Sequence, residues 1–481
     1  MIKQFALGGA IIVLLTAASV ATGALLELDS DLDLLQRDPL KVAPGVLEGV
    51  ASGQPRTILV LGSDRRFGDR RKGIPPRSDS MLVIRLDPRK KAMAVMSIPR
   101  DLMVTIPGHG RGRINTAYGT GGPTLSARAV KAMGIKVHHI LNINFGGFQR
   151  GINRLGCVYA DVDRRYFNDN NPPVASNEKY ATIDLKPGYQ RMCGKDSLDY
   201  VRFRHLDDDF VRAARQQDFL RQLKAQVGIG QLWEDRRELL TIFGRYAQTD
   251  LARGSDAKVL GFIKLAIEAA KNPVTEVRFP AGRERSDGSL EVSPGSLRRT
   301  IRTFEAVRGK RVAGASTARK RPKRVKRRTG GLAAGLVAAE REGEDHVLNI
   351  ATKMRDLDVY FPKARLSRGG YARNSPLAYT IKDRSGSGHR AYRIVLSHGD
   401  NGQYYGVQGV AWARPPILKS PTDSVRMRRR TYQRYFDGKR LRLIAWKGPK
   451  GAWYWVSNTL SQQLSNAQMM DIARSLQRIG E

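Results

Sequence analysis

Arginines and carboxylates stand together at the ends of several short apolar runs, and this pairing is the part of the sequence that can do chemistry. Gly62-Ser63-Asp64 closes one run and Arg77-Ser78-Asp79 opens the next. Two carboxylates at one edge of a sheet could hold a hard cation such as Mg2+ through oxygen ligands while it also grips phosphate. The same residues would serve equally as a turn cap at Asp64 and an ion pair between Asp79 and Arg77. Arg100-Asp101 ends a third run, and Arg113 follows a glycine-rich loop at Pro107–Gly112. The densest group is Tyr200-Val201-Arg202-Phe203-Arg204-His205, then Asp207-Asp208-Asp209, Arg212, Arg215, Gln216 and Gln217. In a strand Arg202 and Arg204 share a face. In the helix that follows, Arg212, Arg215 and Gln216 share another at offsets of three and four. Planar guanidinium forks grip phosphate oxygens, although a solvated basic surface has the same spacing.

Other chemistries are disfavoured. Seven histidines form no ligand-spaced cluster, and His138-His139 would point to opposite faces of a strand, against zinc hydrolysis. There is no G-x-S-x-G elbow and no Walker A sequence. Lys plus Arg number 83 against 45 Asp plus Glu, a net charge of +38, so a partner should be anionic. With 41% hydrophobic residues the chain can form packed cores.

The elements that must position these residues follow an α/β pattern. Strands are expected at Thr57–Leu61, Ser80–Leu86, Ala92–Ile98 and Val137–Ile143, and helices at Pro123–Met133, Phe148–Leu155, Val211–Val227, Leu239–Tyr246 and Ala257–Lys271. Ala214, Leu220 and Leu223 can line the buried face of the third helix, with Asp209 as its N-cap. Ahead of this domain, Phe5–Leu26 carries no charge over 22 residues. As a helix it would be about 33 Å long, enough to span a bilayer. Lys3 before it and acidic residues after it place the bulk of the chain outside the cell; a cleaved signal peptide has the same consequence. There, Cys157 and Cys193 are expected to form one disulfide, closing a loop worth roughly 4 kcal/mol.

Arg308–Arg328 holds eleven cations and no anion, which reads as a linker. Beyond it, residues 346–481 suggest a smaller α+β domain with strands at Tyr404–Trp412, Arg440–Trp446 and Ala452–Val456. Ser465 and Gln468 form a capping-box signature for a closing helix. The expected divisions are a cytoplasmic tip (1–4), a transmembrane helix (5–26), a spacer (27–54), a catalytic α-β-α sandwich (55–305), a basic linker (306–345) and the C-terminal domain (346–481).

Five motifs, LVLGSDRR (59–66), RSDSM (77–81), SIPRDL (97–102), RINTAYGTGG (113–122) and YVRFRHLDDDFVRAARQQ (200–217), together resemble the LytR–CpsA–Psr family of cell-wall glycopolymer transferases. The resemblance implies a single-pass extracytoplasmic enzyme that moves a phospho-glycopolymer from a polyprenyl-pyrophosphate carrier onto peptidoglycan. It implies Mg2+ at Asp64 and Asp79, and pyrophosphate held by Arg77, Arg100, Arg113, Arg202 and Arg204. Arg212, Arg215 and Gln216 would flank that site, and Asp101 and Asp209 would orient groups or act as base. Partners would be the lipid-linked glycopolymer, peptidoglycan and the bilayer, with anionic wall polymer for the linker and C-terminal domain, and no nucleic acid. A non-catalytic binder of wall polymer and a membrane-tethered transcription attenuator are the competing readings.

Overall fold

The computed structural model describes residues 39–51, 53–63, 78–171, 181–203, 209–228, 231, 234–253, 274–280, 282–307, 323–324, 331–354, 356–373, 375–399, 402–427 and 430–481. They fall into two compact units. The first draws on the stretches up to Cys157, Cys193–Arg202 and Val227–Ala315; the second draws on Val158–Met192, Phe203–Gln226 and Ser316–Glu481.

Beside a short antiparallel pair, Arg283–Glu284 with Leu290–Glu291, the described strands of the first unit are β1 (Arg56–Ser63), β2 (Ser78–Asp87), β3 (Ala92–Ile98), the hairpin β4 (Met103–Ile106) and β5 (Gly110–Arg113), β6 (His139–Asn144), β7 (Ala247–Thr249) and β8 (Val274–Val277). Except for β4 and β5 they form one mixed sheet in the order β7-β6-β1-β2-β3-β8. β1 runs parallel to β6 and β3 parallel to β8, while the other pairs are antiparallel. Ile58, Leu59, Val60 and Leu61 are all buried. An apolar run of this kind, buried on both of its alternating faces, belongs to a sheet covered on both sides.

Among the described residues five α-helices accompany the sheet: α1 (Thr116–Ala132), α2 (Phe145–Arg154), α3 (Gly194–Arg202), α4 (Arg236–Tyr246) and α5 (Pro294–Ala306). Leu125 and Val130 of α1 and Ile301 and Phe304 of α5 share a core with Leu59, Leu61, Met81 and Val83. Each such side chain contributes about 1.5–3 kcal/mol by leaving water. α2 packs on β6, α3 and α4. α1 starts seven residues before the expected Pro123 but is broken there: Gly122 takes φ 62° and the helix resumes at the proline. It stops before Gly134, whose φ of 94° is open to glycine and strained for other residues.

Two expectations are corrected. The fold class included a transmembrane helix, but among the described residues no helix is long and apolar enough to cross a membrane. The single-pass topology and the membrane localisation drawn from that helix are withdrawn with it; Phe5–Leu26 itself lies outside the described residues. Tyr200–Arg202, expected as a strand, is the last turn of α3. The helix expected at Ala257–Lys271 also lies outside the described residues.

The second unit holds an antiparallel pair, Val158–Val162 with Gly188–Met192, and the helix Asp209–Gln226, which includes Asp209 as its first residue. Its main sheet has eight strands: Leu377–Lys382, Gly388–Ser397, Tyr404–Val410, Trp453–Ser457, Arg440–Lys447, Arg430–Asp437, Asp423–Met427 and Lys323–Arg324. Lys323–Arg324, taken from the basic run, pairs in parallel with Val425–Arg426. The closing helix Asn466–Ser475 has the expected capping box between Ser465 and Gln468, and buries Met469, Ile472 and Ala473.

Candidate active site

Four strand ends, of β1, β2, β3 and β5, and one helix end carry the charged motifs of the first unit. At the first, the β1–β2 ladder runs Gly62 opposite Ser80 and Ser63 opposite Ser78. Asp79 therefore occupies a bulge, one residue longer than the facing strand. Its backbone stands across from the Gly62–Ser63 step, immediately before Asp64 in the chain. Asp64, Arg77 and Arg204 lie outside the described residues.

At the end of β3 the structure brings Arg100, Asp101 and Arg113 together. Arg100 Nε donates to Asp101 Oδ2 at 2.9 Å, and Arg113 Nη1 lies 3.5 Å from Asp101 Oδ1. One carboxylate thus holds two guanidiniums. The surrounding backbone is fixed: Asn115 N–H donates to Arg100 O at 3.1 Å, and Leu290 N–H donates to Asp101 O at 2.9 Å. Arg113 also donates to the carbonyl of Asp287. The Asp287 carboxyl is itself held below its ordinary range by hydrogen bonds from Ser289. The Asp101 side chain keeps 15% exposure and that of Arg113 37%, so the cluster can be reached by an anion.

The helix end is that of α3. Its start is tied to the end of α2 by the expected disulfide, Cys157–Cys193, with Cα atoms 4.4 Å apart. Gly194 N–H donates to Asn153 Oδ1 at 2.7 Å. A Cβ at Gly194 would stand 2.3 Å from Gln149 O, so only glycine allows this approach of α3 to α2. Arg202, the last residue of the helix, is buried and its guanidinium lies 5.0 Å from the ring centroid of Phe145, a cation–π distance. One turn back, Asp199 is buried, which pushes its carboxyl up, while Lys195 and Arg202 draw it down.

In the second unit Arg212, Arg215 and Gln216 share a helix face as expected, but that face is buried. The solvated-surface alternative fails for these three residues. Ala214, expected on the buried face, is only half-buried, whereas Leu220 and Leu223 are buried. Arg215 Nη2 donates to Phe203 O at 2.7 Å, and the guanidinium sits 4.7 Å from the Tyr166 ring centroid. Arg164 lies 4.6 Å from the same ring. Its role escaped the sequence, where Asp163-Arg164-Arg165 reads as an ordinary polar stretch.

Also missed was Asn142, which is buried on β6. Its Oδ1 accepts from the Tyr118 hydroxyl at 3.1 Å, and its Nδ2 donates to Gln248 Oε1 at 3.2 Å. This links Tyr118 of the RINTAYGTGG motif to the sheet. His138 accepts from Thr57 N–H at 2.9 Å, and burial lowers its pKa to about 4. His139 lies between Arg56 and Asp250. Neither histidine shares a ligand cluster: among the described residues no group of three or more His, Cys, Asp or Glu is placed to hold a metal ion.

Comparison with known proteins bears on these motifs. The LytR_cpsA_psr family matches residues 30–300. The polyisoprenyl-teichoic acid–peptidoglycan teichoic acid transferase TagU of Oceanobacillus iheyensis is 31% identical over 240 residues, covering 48% of this chain and 68% of TagU. The regulatory protein MsrR of Staphylococcus aureus is 35% identical over 175 residues, 36% of this chain and about half (49%) of MsrR. Among solved structures, Bacillus subtilis TagT shares 21% identity over 55% of this chain and 98% of its own, with a TM-score of 0.40. With the family's match spanning more than half of its residues, the chain belongs to the LytR–CpsA–Psr family.

Proposed function

We propose that this protein transfers a phospho-glycopolymer from a polyprenyl-pyrophosphate carrier to a hydroxyl of peptidoglycan. The partners are then the lipid-linked glycopolymer, peptidoglycan and, through the lipid, the membrane bilayer. Family membership and the activity of the relative TagU support the class of reaction. The observation that carries it to this chain is the cluster at the end of β3, where Asp101 holds Arg100 and Arg113 side by side. In the reaction a peptidoglycan hydroxyl oxygen bonds to the phosphorus attached to the glycopolymer. The bond from that phosphorus to the bridging oxygen breaks, polyprenyl phosphate leaves, and a phosphodiester remains. The hydroxyl proton is lost to solvent or a base.

Such a transfer asks little covalent work of a protein and much stabilisation of charge on phosphate oxygens. Arg100, Arg113 and Arg202 would supply it in the first unit, with Arg77 and Arg204 from the adjoining motifs. Arg212, Arg215 and Gln216 are assigned to the pyrophosphate on the motif alone. Both oxygens of Asp101 are engaged with arginine, which suits positioning better than proton transfer. The carboxylates of Asp64 and Asp79 are hard donors of the kind Mg2+ takes, and the β1–β2 register sets Asp79 opposite the residues that precede Asp64. These two would hold the ion, and when bound it would supply charge neutralisation at the pyrophosphate.

The test is release of polyprenyl phosphate from a lipid-linked glycopolymer in the presence of peptidoglycan. Arg100→Ala and Arg202→Ala should each lower it roughly 100-fold, about 2.7 kcal/mol of barrier, with an unchanged unfolding midpoint. Chelation should abolish release and Mg2+ restore it. Transfer at the original rate in both variants would sink the assignment, and indifference to chelation would remove Mg2+ from it.

A further inference from the structure

The family match ends at residue 300, and the proposed transfer makes no use of the second unit's eight-stranded sheet. Within that unit lies a cavity of about 650 Å³ whose walls include Tyr159, Trp412, Trp453, Arg384, Arg414 and Lys419. Its volume is in the range of small-ligand sites, roughly 300–1,000 Å³.

The aromatic wall is held rigidly. Trp453 Nε1 donates to Ala413 O at 3.0 Å. The Tyr159 hydroxyl donates to Lys382 O at 3.1 Å, and both backbone polar groups of Tyr159 are bonded to the Gln226 amide, at 2.9 and 2.7 Å. Tyr159 meets Trp412 edge to face, with centroids 5.1 Å apart. His389 lies flat on Trp412 at 4.8 Å and 5°. The histidine is in turn fixed by Asp383 Oδ2 at 3.0 Å and by Ala411 O at 3.2 Å. A wall locked in this way loses little freedom when a ligand arrives.

The charge around it is not balanced. Asp383 is the carboxylate of the lining, and it already accepts from Ser385, from the Ser387 backbone and from His389. Arg384, Arg414 and Lys419 are exposed. Among the described residues none of these three side chains has an ion pair or a hydrogen bond. A neutral apolar ligand would strip water from three cations without replacing it. A bare inorganic anion would satisfy the cations and leave the rings unused. A sugar ring offers apolar C–H faces to aromatic side chains, and an acidic substituent on it offers oxygens to guanidinium and ammonium groups.

We propose that this cavity is a binding site for an anionic saccharide, a short glycan bearing carboxylate or phosphate groups. Such a site would bind its saccharide whether or not the protein is a transferase.

Calorimetric titration of the full chain with four probes decides it: trigalacturonate, phosphorylated maltotriose, neutral maltotriose and inorganic phosphate. At least one charged saccharide should bind tenfold or more tightly than both maltotriose and phosphate, and which one does so identifies the acidic group. The exposed pair Arg414→Glu and Lys419→Glu should weaken that binding at least tenfold with the unfolding midpoint unchanged. Trp453→Ala should abolish it, and if that variant is destabilised, Trp453→Phe should retain most of the affinity. Neither charged saccharide binding more tightly than neutral maltotriose, inorganic phosphate binding as tightly as both charged saccharides, or indifference to the double charge reversal each overturns the proposal. No lipid carrier is present in the titration, and the charge-reversed protein should still release polyprenyl phosphate within about twofold of the original. Failure of the binding site and failure of the transferase assignment therefore give different results.

Discussion

Arg100 with Arg113 and Arg202 are guanidiniums of one compact unit held by opposite means. The first two share the Asp101 carboxylate. The third rests against the ring of Phe145, at the end of a helix whose start is covalently tied to α2. A shared carboxylate aligns two forks but cancels one of their two charges, so an incoming phosphate competes with Asp101. A ring face positions a guanidinium through its π electrons rather than through a formal charge, and Arg202 also feels the Asp199 carboxylate one turn back. The unit thus positions its guanidiniums in two ways, by a shared carboxylate and by a ring face.

The largest test of this contrast is on the covalent side. Cys157→Ser with Cys193→Ser should cost about 4 kcal/mol of stability on the chain-entropy account, read by denaturant unfolding. A loss below about 1 kcal/mol would mean that α3 is held by packing alone. On the carboxylate side, Asp101→Asn should lower transfer about tenfold, near 1.4 kcal/mol, because both arginines lose their shared anchor. A rise in transfer would show instead that competition by Asp101 outweighs the alignment it provides. The smallest effect should come from Phe145→Leu, which keeps an apolar side chain but removes the π face beneath Arg202. Transfer should fall about fivefold, close to the 1 kcal/mol of a cation–π contact, with the response to Arg202→Lys reduced. An unchanged rate would mean that the ring is mere packing.

The sequence made the sheet legible where apolar runs are unbroken, as at Thr57–Leu61 and Ala92–Ile98, since a strand buried on both faces has little else it can be. It misled at Tyr200–Arg202. Val201 and Phe203 alternate with Arg202 and Arg204, which is a strand's period, but the helix had begun at Gly194. Leu198 and Val201 at a spacing of three and the Lys195–Asp199 pair at a spacing of four were the helical signals. Helical spacing also grouped Arg212, Arg215 and Gln216 correctly. Their burial was not legible, because cations are placed at the surface unless their receiving groups can be located, as Tyr166 and Phe203 receive Arg215. The Asp101 cluster was half-visible: Arg100 and Asp101 are neighbours in sequence, but the approach of Arg113 depends on the β4–β5 hairpin. The saccharide cavity was not legible at all, for its walls run from Tyr159 to Trp453 and only the fold joins them.

Asp161 has a consequence for the order in which the protein is made. Its carboxylate is buried against Arg393, with an ion-pair distance of 3.0 Å, and also accepts from Trp455 Nε1 at 3.1 Å. Arg393 follows it by 232 residues. Synthesis is vectorial, so Asp161 emerges long before either partner exists, and a lone carboxylate does not enter an apolar interior. The strand Val158–Val162 must therefore wait in a hydrated state while nearly half the chain is still being translated. Nascent chains stopped before Arg393 should leave this strand open to protease, and those extended past Trp455 should protect it.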